Sequence, residues 1–475
     1  MRDQDIEVLQ DLVFRTAPQD LFSTLDSWRE ELNSAHARAS EDRQDEIARM
    51  VCANAIDLQS VLADWGLKEN AVVESDSSQK IDDAQLDAET ANNYALLSQW
   101  GRDDLVKQAK EAVREIEESN LARLARMALQ GAVNTFWGND YAAHLREAMR
   151  KGACLVTTNP QLVNIARQEE PDRWTPVRDR MREENPDMDA LQLAYEMTIA
   201  VVVANCKLLR PIWELTNERI GYVSLQLNPK NSDDADSMVE QANYVWPRLE
   251  EALGGIPNTV LKVPGTKAGL TAAAELTSNR MGVNITVNFS LPQQIAFGAV
   301  IEKNSIAPVS FRTQMDGRLD DPVGDELHEA GVSDWEEVKT WCTTAIRQRE
   351  YRLLCRDPMR GGMGLRKTNM LPASGRGAWN ISRSIHREPE VSCFITIFPD
   401  KQELFDSEPR ELNPDGMWTP VPPEIMKKLY KSELFRKAYE PDGMTVDEFD
   451  DFLPCVRTLE GFSESFDEFV DWVAD

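Results

Sequence analysis

The chain has 475 residues, of which 42% are hydrophobic, and a net charge of −29. That length allows two or three domains or one large barrel with extensions, and the hydrophobic share suffices for a sizeable core. The charge disfavours non-specific binding to nucleic acid or anionic membranes; solubility explains it as simply as any acidic-surface function, and it carries no information on fold.

The N-terminus, MRDQDIEVLQ, is polar and lacks a signal-peptide core. No apolar run reaches the roughly 18 residues of a membrane helix. The seven cysteines are scattered and odd in number, without CxxC spacing, and the four histidines lie far apart. A disulfide framework, a cysteine zinc site and a histidine metal centre are therefore not expected, and a reducing cytoplasmic setting is the simplest reading.

Residues 1–125 read as a helical N-terminal extension. The stretches 27–65 and 93–130 carry apolar residues at helical spacing, and the polar segment NAVVESDSSQKIDDAQLDAET between them reads as a loop or linker. From residue 131 the texture changes. Short apolar or β-branched runs alternate with amphipathic stretches. The predicted strands are 132–138, 153–158, 222–227, 259–264, 282–289, 307–315, 351–355 and 392–398. Helices are predicted between them, among them KAGLTAAAELTS, LPQQIAFGAVIEKN and DWEEVKTWCTTAIRQRE. Eight strands separated by helices predict an α/β fold, a parallel (β/α)8 TIM barrel over 126–420. An open doubly wound sheet is the rival, but no GxGxxG follows a strand, and RGGMGLRKT (360–368) has the wrong spacing for a P-loop. The acidic segment 421–475 is predicted to be helical and to pack on the barrel.

Within the strand TVLKVP, Lys262 stands among Val260, Leu261, Val263 and Pro264. A lysine aimed into a barrel lumen loses hydration of its charged form, and its pKa falls. A fall to about 7–8 costs the ammonium form roughly 4 kcal/mol relative to water. The neutral amine that results attacks carbonyls and forms Schiff bases. The alternative is a lysine that reaches solvent at the strand end.

The strand-end motifs around it, taken in order, resemble those of the transaldolase family, within the Schiff-base aldolases. They are TTNPQL (157–162), VSLQLNP (223–229), LKVPGTKAGL (261–270), VNITVNFSLPQ (283–293) and MDGRLDD (315–321). FRKAYEPDGMTVDEFDDF (435–452) resembles a C-terminal helical segment of some members. The resemblance covers 130–325 well and the tail moderately; 1–125 is unmatched.

The resemblance implies that Lys262 forms a Schiff base with a ketose and that Asn159 and Asn284 hydrogen-bond the donor's hydroxyls. It further implies that Thr286 helps hold a water, that Arg318 grips a phosphate, and that Thr313 lies near the substrate. A catalytic aspartate should end the first strand. Asp140 is the nearest carboxylate, in a shifted register, and an N-cap before YAAHL is its alternative role. The family's third-strand glutamate is replaced here by Gln226. A carboxamide cannot relay a proton, and this feature is similar to the fructose 6-phosphate aldolase branch. That branch carries a sixth-strand tyrosine where this chain has Met315.

Between Arg352 and Arg387 lie eight basic residues, with Asp357 as the one acid. With a seventh strand at 351–355, this field would open on the catalytic face, where Arg356 and Arg360 are the better phosphate contacts; a solvated loop balancing acidic neighbours is the alternative. The resemblance thus implies transfer of a three-carbon dihydroxyacetone unit between sugar phosphates, in the pentose phosphate pathway, without metal or organic cofactor. Sugar phosphates would be the partners, with neither nucleic acid nor membrane, and a homo-oligomer is compatible with it. The rivals are an aldolase that releases dihydroxyacetone, and a silent barrel that acts as a scaffold through its N-terminal helices.

Overall fold

In the computed structural model the described residues are 20–62 and 83–475. The polar N-terminus and most of the predicted linker lie outside them. The linker's last residues, from Asp83 on, are helix and not loop.

Two compact units form. The first draws on Met1–Ala132, Leu145–Cys154 and Lys207–Gly221. Its helices are α1 (Leu21–His36), α2 (Glu41–Asp57), α3 (Asp83–Gln99), α4 (Asp103–Glu118), α5 (Asn120–Leu129) and the short α6 (Leu145–Arg150). Trp28, Leu32, Ile47, Val51, Leu97, Leu105 and Ala109 share one core. On α4 the buried residues Leu105, Ala109 and Ile116 recur at helical spacing, so a helix otherwise rich in charge docks by a single face. Asp57, fully buried at the end of α2, is held by Arg146 and Arg150, one turn apart on α6.

The second unit is a closed parallel barrel in the order β1 to β8. Its strands are β1 (Thr135–Asn139), β2 (Leu155–Val156), β3 (Tyr222–Gln226), β4 (Thr259–Pro264), β5 (Val283–Thr286), β6 (Phe311–Met315), β7 (Asn369–Ala373) and β8 (Cys393–Ile397). Closure runs from Thr135↔Cys393 to Asn139↔Ile397. Every residue of β4 is buried, as expected of a strand with lumen on one side and helices on the other. The shell helices include α7 (Pro160–Glu169), α8 (Pro171–Glu184), α9 (Ala190–Leu215), α10 (Ala235–Leu253), α11 (Lys267–Ser278), α12 (Leu291–Asn304), α13 (Asp316–Glu329), α14 (Trp335–Lys339), α15 (Cys342–Glu350), α16 (Ala378–Ser382) and α17 (Pro399–Asp406). Gly269, in the first turn of α11, lies so close to the end of β4 that an added Cβ would stand 1.9 Å from the Pro264 carbonyl oxygen. Only glycine lets that helix seat there.

Two expectations are corrected. The seventh strand is Asn369–Ala373, not 351–355. Tyr351, Leu354 and Cys355 are buried at i, i+3 and i+4, so YRLLC has the helical period and continues α15 as a π-type turn. Also, α9 is long and apolar enough by length and composition to cross a membrane, against the expectation of no such stretch; half of that window is buried. Its residues Leu193, Ala194, Met197 and Val201 share a core cluster with Leu162 and Val163 of α7.

After the barrel come α18 (Pro423–Leu429), α19 (Glu433–Tyr439) and α20 (Leu453–Ala474). Ile425, Leu429, Phe435 and Phe462 from this segment join Leu319, Val323 and Leu327 of α13 in one cluster. Farther along α20, Phe469 and Val473 meet α7 and Trp174 of α8.

Candidate active site

In a parallel barrel the side chains at the C-terminal strand ends converge on one mouth. Gln226, Lys262 and Asn284 sit side by side in register across β3, β4 and β5. Lys262 is buried, and its Nζ donates to the Thr158 carbonyl oxygen at 2.9 Å. That carbonyl is itself fixed, because the Thr158 backbone N–H donates to Ser224 Oγ and the Thr158 hydroxyl donates to the Ser224 carbonyl. Burial lowers the Lys262 pKa from 10.5 to about 8; the Asp140 carboxylate resists the fall and Arg318 adds to it. The amine is therefore substantially neutral near pH 8.

Asp140 follows β1 directly and is buried. Its backbone N–H donates to the Ile397 carbonyl, and its Oδ1 accepts from the Thr157 hydroxyl at 2.6 Å. Burial pushes its carboxyl pKa up, against the pull of Lys262, the Thr157 hydroxyl and Arg318. The capping alternative fails, since α6 starts only at Leu145. Lys262, Asp140 and Arg318 thus lie within electrostatic reach of one another.

Asn284 Oδ1 accepts from the Thr313 hydroxyl at 2.6 Å, while its buried Nδ2 has no partner among the described residues. This arrangement leaves the donor end of the amide open to an acceptor. Gln226 Oε1 is likewise buried without a partner among the described residues. The Thr286 hydroxyl donates to Met315 Sδ at 3.8 Å. Asn159 Oδ1 accepts from the Leu162 backbone N–H and so caps α7. Just past Thr286, Val287 adopts φ 51°, a costly conformation for a β-branched residue. Gln293 Nε2 holds it through the Val287 carbonyl at 3.1 Å.

The two arginines favoured for phosphate contact are not here. Arg360 pairs with Glu388 and Glu390, which precede β8, and Arg356 stacks on Trp418 at 5.0 Å. Both belong to the N-terminal mouth, on the other side of the barrel from Lys262. The misplaced seventh strand caused the error, for the chain returns through the barrel only after Thr368. Arg376 is the arginine that follows β7. It pairs with Asp321 at 3.0 Å and is close enough to Arg318 to lower its pKa, after burial. Ser374 at φ 57° makes the turn that brings it there. Arg376 lay in the basic run and was passed over; its position just behind the true strand end is the signal that marks it.

A family sequence profile described as transaldolase/fructose-6-phosphate aldolase matches residues 142–445, more than half of the chain. The chain belongs to that family. The match begins just after Asp140, so the case for that residue rests on geometry. A transaldolase of Neisseria meningitidis serogroup C is 28% identical over 221 residues, covering 42% of this chain and 61% of the relative. One from Mycobacterium ulcerans is 30% identical over 176 residues, 34% of this chain and 44% of the relative. A third, from Thiobacillus denitrificans, is 32% identical over 152 residues, 32% and 40% of the two chains. The chain thus spans about three fifths of the first relative's length, 61%, and less of the other two.

A family member working through Lys262 has a characteristic pH response. Trapping of a carbonyl compound on Lys262 is expected to accelerate about tenfold per pH unit below pH 8 and level off above it, following the neutral amine. A rate still climbing at pH 10 would mean an ordinary solvated lysine.

Proposed function

We propose that the chain is a transferase that moves a dihydroxyacetone unit from a ketose phosphate to an aldose phosphate through a Schiff base on Lys262. The single observation that carries this reading is a buried lysine amine with a pKa near 8 in the lumen, within reach of the buried carboxyl of Asp140. The amine adds to the ketose C2 carbonyl and water leaves. Asp140, as carboxylate, takes the proton of the C4 hydroxyl while the C3–C4 bond breaks and the aldose phosphate departs. The electron pair stays on the three-carbon enamine bound to Lys262. An incoming aldehyde accepts that carbon, and the proton returns from Asp140. Asn159 and Asn284 hold the donor's hydroxyls, and Thr313 orients Asn284. Gln226 and Thr286 hold the water that enters and leaves. Arg318 takes the phosphate, with Arg376 beside it. The proposal includes a cytoplasmic setting, with all seven cysteines free and buried, and a division into helical extension (1–125), barrel (126–420) and C-terminal helices (421–475).

Gln226 favours a second reading, simple aldol cleavage with release of dihydroxyacetone, because an amide orients water but does not relay its proton. Borohydride reduction with fructose 6-phosphate and peptide mapping tests the shared step. An adduct on Lys262 is expected, and adding an aldose phosphate then separates transfer from cleavage. No adduct with fructose 6-phosphate or sedoheptulose 7-phosphate, in a folded protein, would sink both readings.

The phosphate contacts give a separate prediction. Arg318→Ala and Arg376→Ala should each raise KM for a phosphorylated ketose about tenfold or more, the scale of a lost charge-assisted hydrogen bond. Arg360→Ala, on the opposite mouth, should leave it unchanged. Steady-state kinetics on the three variants decides.

A further inference from the structure

Arg318 is held in an unusual way. It stands in the first turn of α13, half-buried, and among the described residues no carboxylate lies within ion-pair distance. Among the described residues its side chain makes one hydrogen bond and one ring stack. Its Nη2 donates to Gln161 Oε1 at 3.1 Å, and its guanidinium stacks on the Phe462 ring of α20 at 5.1 Å. Gln161 Nε2 reaches the Gly461 carbonyl of α20 at 3.5 Å. One turn along α7, Asn164 Nδ2 donates to the Ser465 carbonyl of α20 at 2.6 Å. Two amides one turn apart on α7 therefore meet two carbonyls one turn apart on α20.

The chemistry of this junction is selective. A guanidinium only donates and a backbone carbonyl only accepts, so a carboxamide between them satisfies both in one orientation. A carboxylate in the same place would pair with Arg318, consume its charge and face the Gly461 carbonyl with like polarity. A serine would be too short to bridge. The neutral amide fixes the guanidinium without neutralising it, and leaves the rest of its donor fork for an anion.

We propose that Gln161 is a positioning residue: its amide couples Arg318 to the C-terminal helix α20, and through that coupling α20 sets how tightly the chain holds a phosphorylated sugar. This rests on the reading of Arg318 as the phosphate-binding group. Phosphorylated ligands should feel a change at Gln161, and unphosphorylated ones should not.

The test uses the full chain and a sugar phosphate that cannot react, glucitol 6-phosphate, with binding measured by calorimetry. Gln161→Glu is expected to weaken binding about tenfold or more, as an intramolecular ion pair takes the place of the ligand. Gln161→Met, which keeps the length and removes the polar atoms, should weaken it about threefold, since the guanidinium loses its tether but keeps its charge. The methionine variant also decides the matter alone if the glutamate variant does not fold. Dihydroxyacetone, which has no phosphate, should trap on Lys262 equally in all three proteins. Wild-type affinity for glucitol 6-phosphate in both variants, or an equal loss of dihydroxyacetone trapping, would overturn the proposal. Failure of dihydroxyacetone to trap even in the wild type would count against the Schiff-base reading, while the calorimetry would still decide the role of Gln161.

Discussion

Lys262→Met is expected to lower turnover by about 10⁴-fold or more if Lys262 supplies the covalent step as proposed. The same substitution should cost little stability. Methionine fills the same unbranched space in the lumen. It gives up the hydrogen bond to the Thr158 carbonyl, but it also removes an ammonium whose charged form burial disfavours. The pH dependence gives a sharper signature. The folded pKa, about 8, lies below the ordinary value of 10.5. Between those two values the unfolded chain holds more protons at this site than the folded one, so the contribution of Lys262 to stability rises with pH there. The methionine variant should lack that rise. Urea melts at pH 7.5 and 9.5, beside turnover with fructose 6-phosphate and an aldose phosphate, check both halves. A variant that kept one part in a hundred of its turnover would rule out Lys262 as the Schiff-base residue.

The residues around Lys262 were legible because a barrel strand leaves few explanations for a lysine flanked by valine, leucine and proline. Asn284, Thr286 and Gln226 came instead from the resemblance of their strand-end motifs to the transaldolase family. Asp140 was half legible. The sequence offered a carboxylate near a strand end and an equally good capping role, and only the late start of α6 separates them. The seventh strand was not legible. NMLPA is short and carries Pro372, which signals against a central strand, while YRLLC offered a stronger apolar run that belongs to a helical turn. One misplaced strand then put Arg356 and Arg360 on the wrong mouth and hid Arg376. The tie between Arg318 and α20 was beyond reach for another reason. It runs through Gln161, which is 157 residues from Arg318 and 300 from Gly461, and no local pattern records such a pairing.

Beneath Arg318 and Arg376 lies a buried charge cluster, and its removal should have a large effect on stability. Arg347 Nη2 donates to both carboxylate oxygens of Asp316 at 2.5 and 2.6 Å, and Arg312 pairs with Glu350 at 2.7 Å. Asp320, one turn along α13 from Asp316, accepts from the Thr343 backbone N–H and hydroxyl. Asp316, Asp320 and Glu350 are buried together with Arg312 and Arg347, and the half-buried Arg383 is close enough to feel both Asp320 and Arg347. Burial, with Asp316 adding to it, pushes Asp320 up to about 8, so it holds a proton at neutral pH. Arg347→Met would leave Asp316 without its guanidinium, and should cost about 3–5 kcal/mol at pH 7, the scale for breaking a buried pair. Both folded pKa values would then lie further above the unfolded value of 3.8. Each carboxyl adds to the deficit only as pH rises past its wild-type folded pKa, about 8 for Asp320, so the deficit should grow with pH and be larger at pH 9 than at pH 5. Asp316 also accepts from Asn380 Nδ2, and Asn380 Oδ1 accepts from the Arg376 and Gly377 backbone N–H groups. The cluster therefore anchors both the first turn of α13, which carries Arg318, and the loop that carries Arg376. At a temperature where the variant stays folded, KM for a phosphorylated ketose should rise while trapping of dihydroxyacetone on Lys262 persists. Urea melts from pH 5 to 9 with kinetics on the folded variant check both. A deficit independent of pH would mean that methionine damages packing and not charge balance.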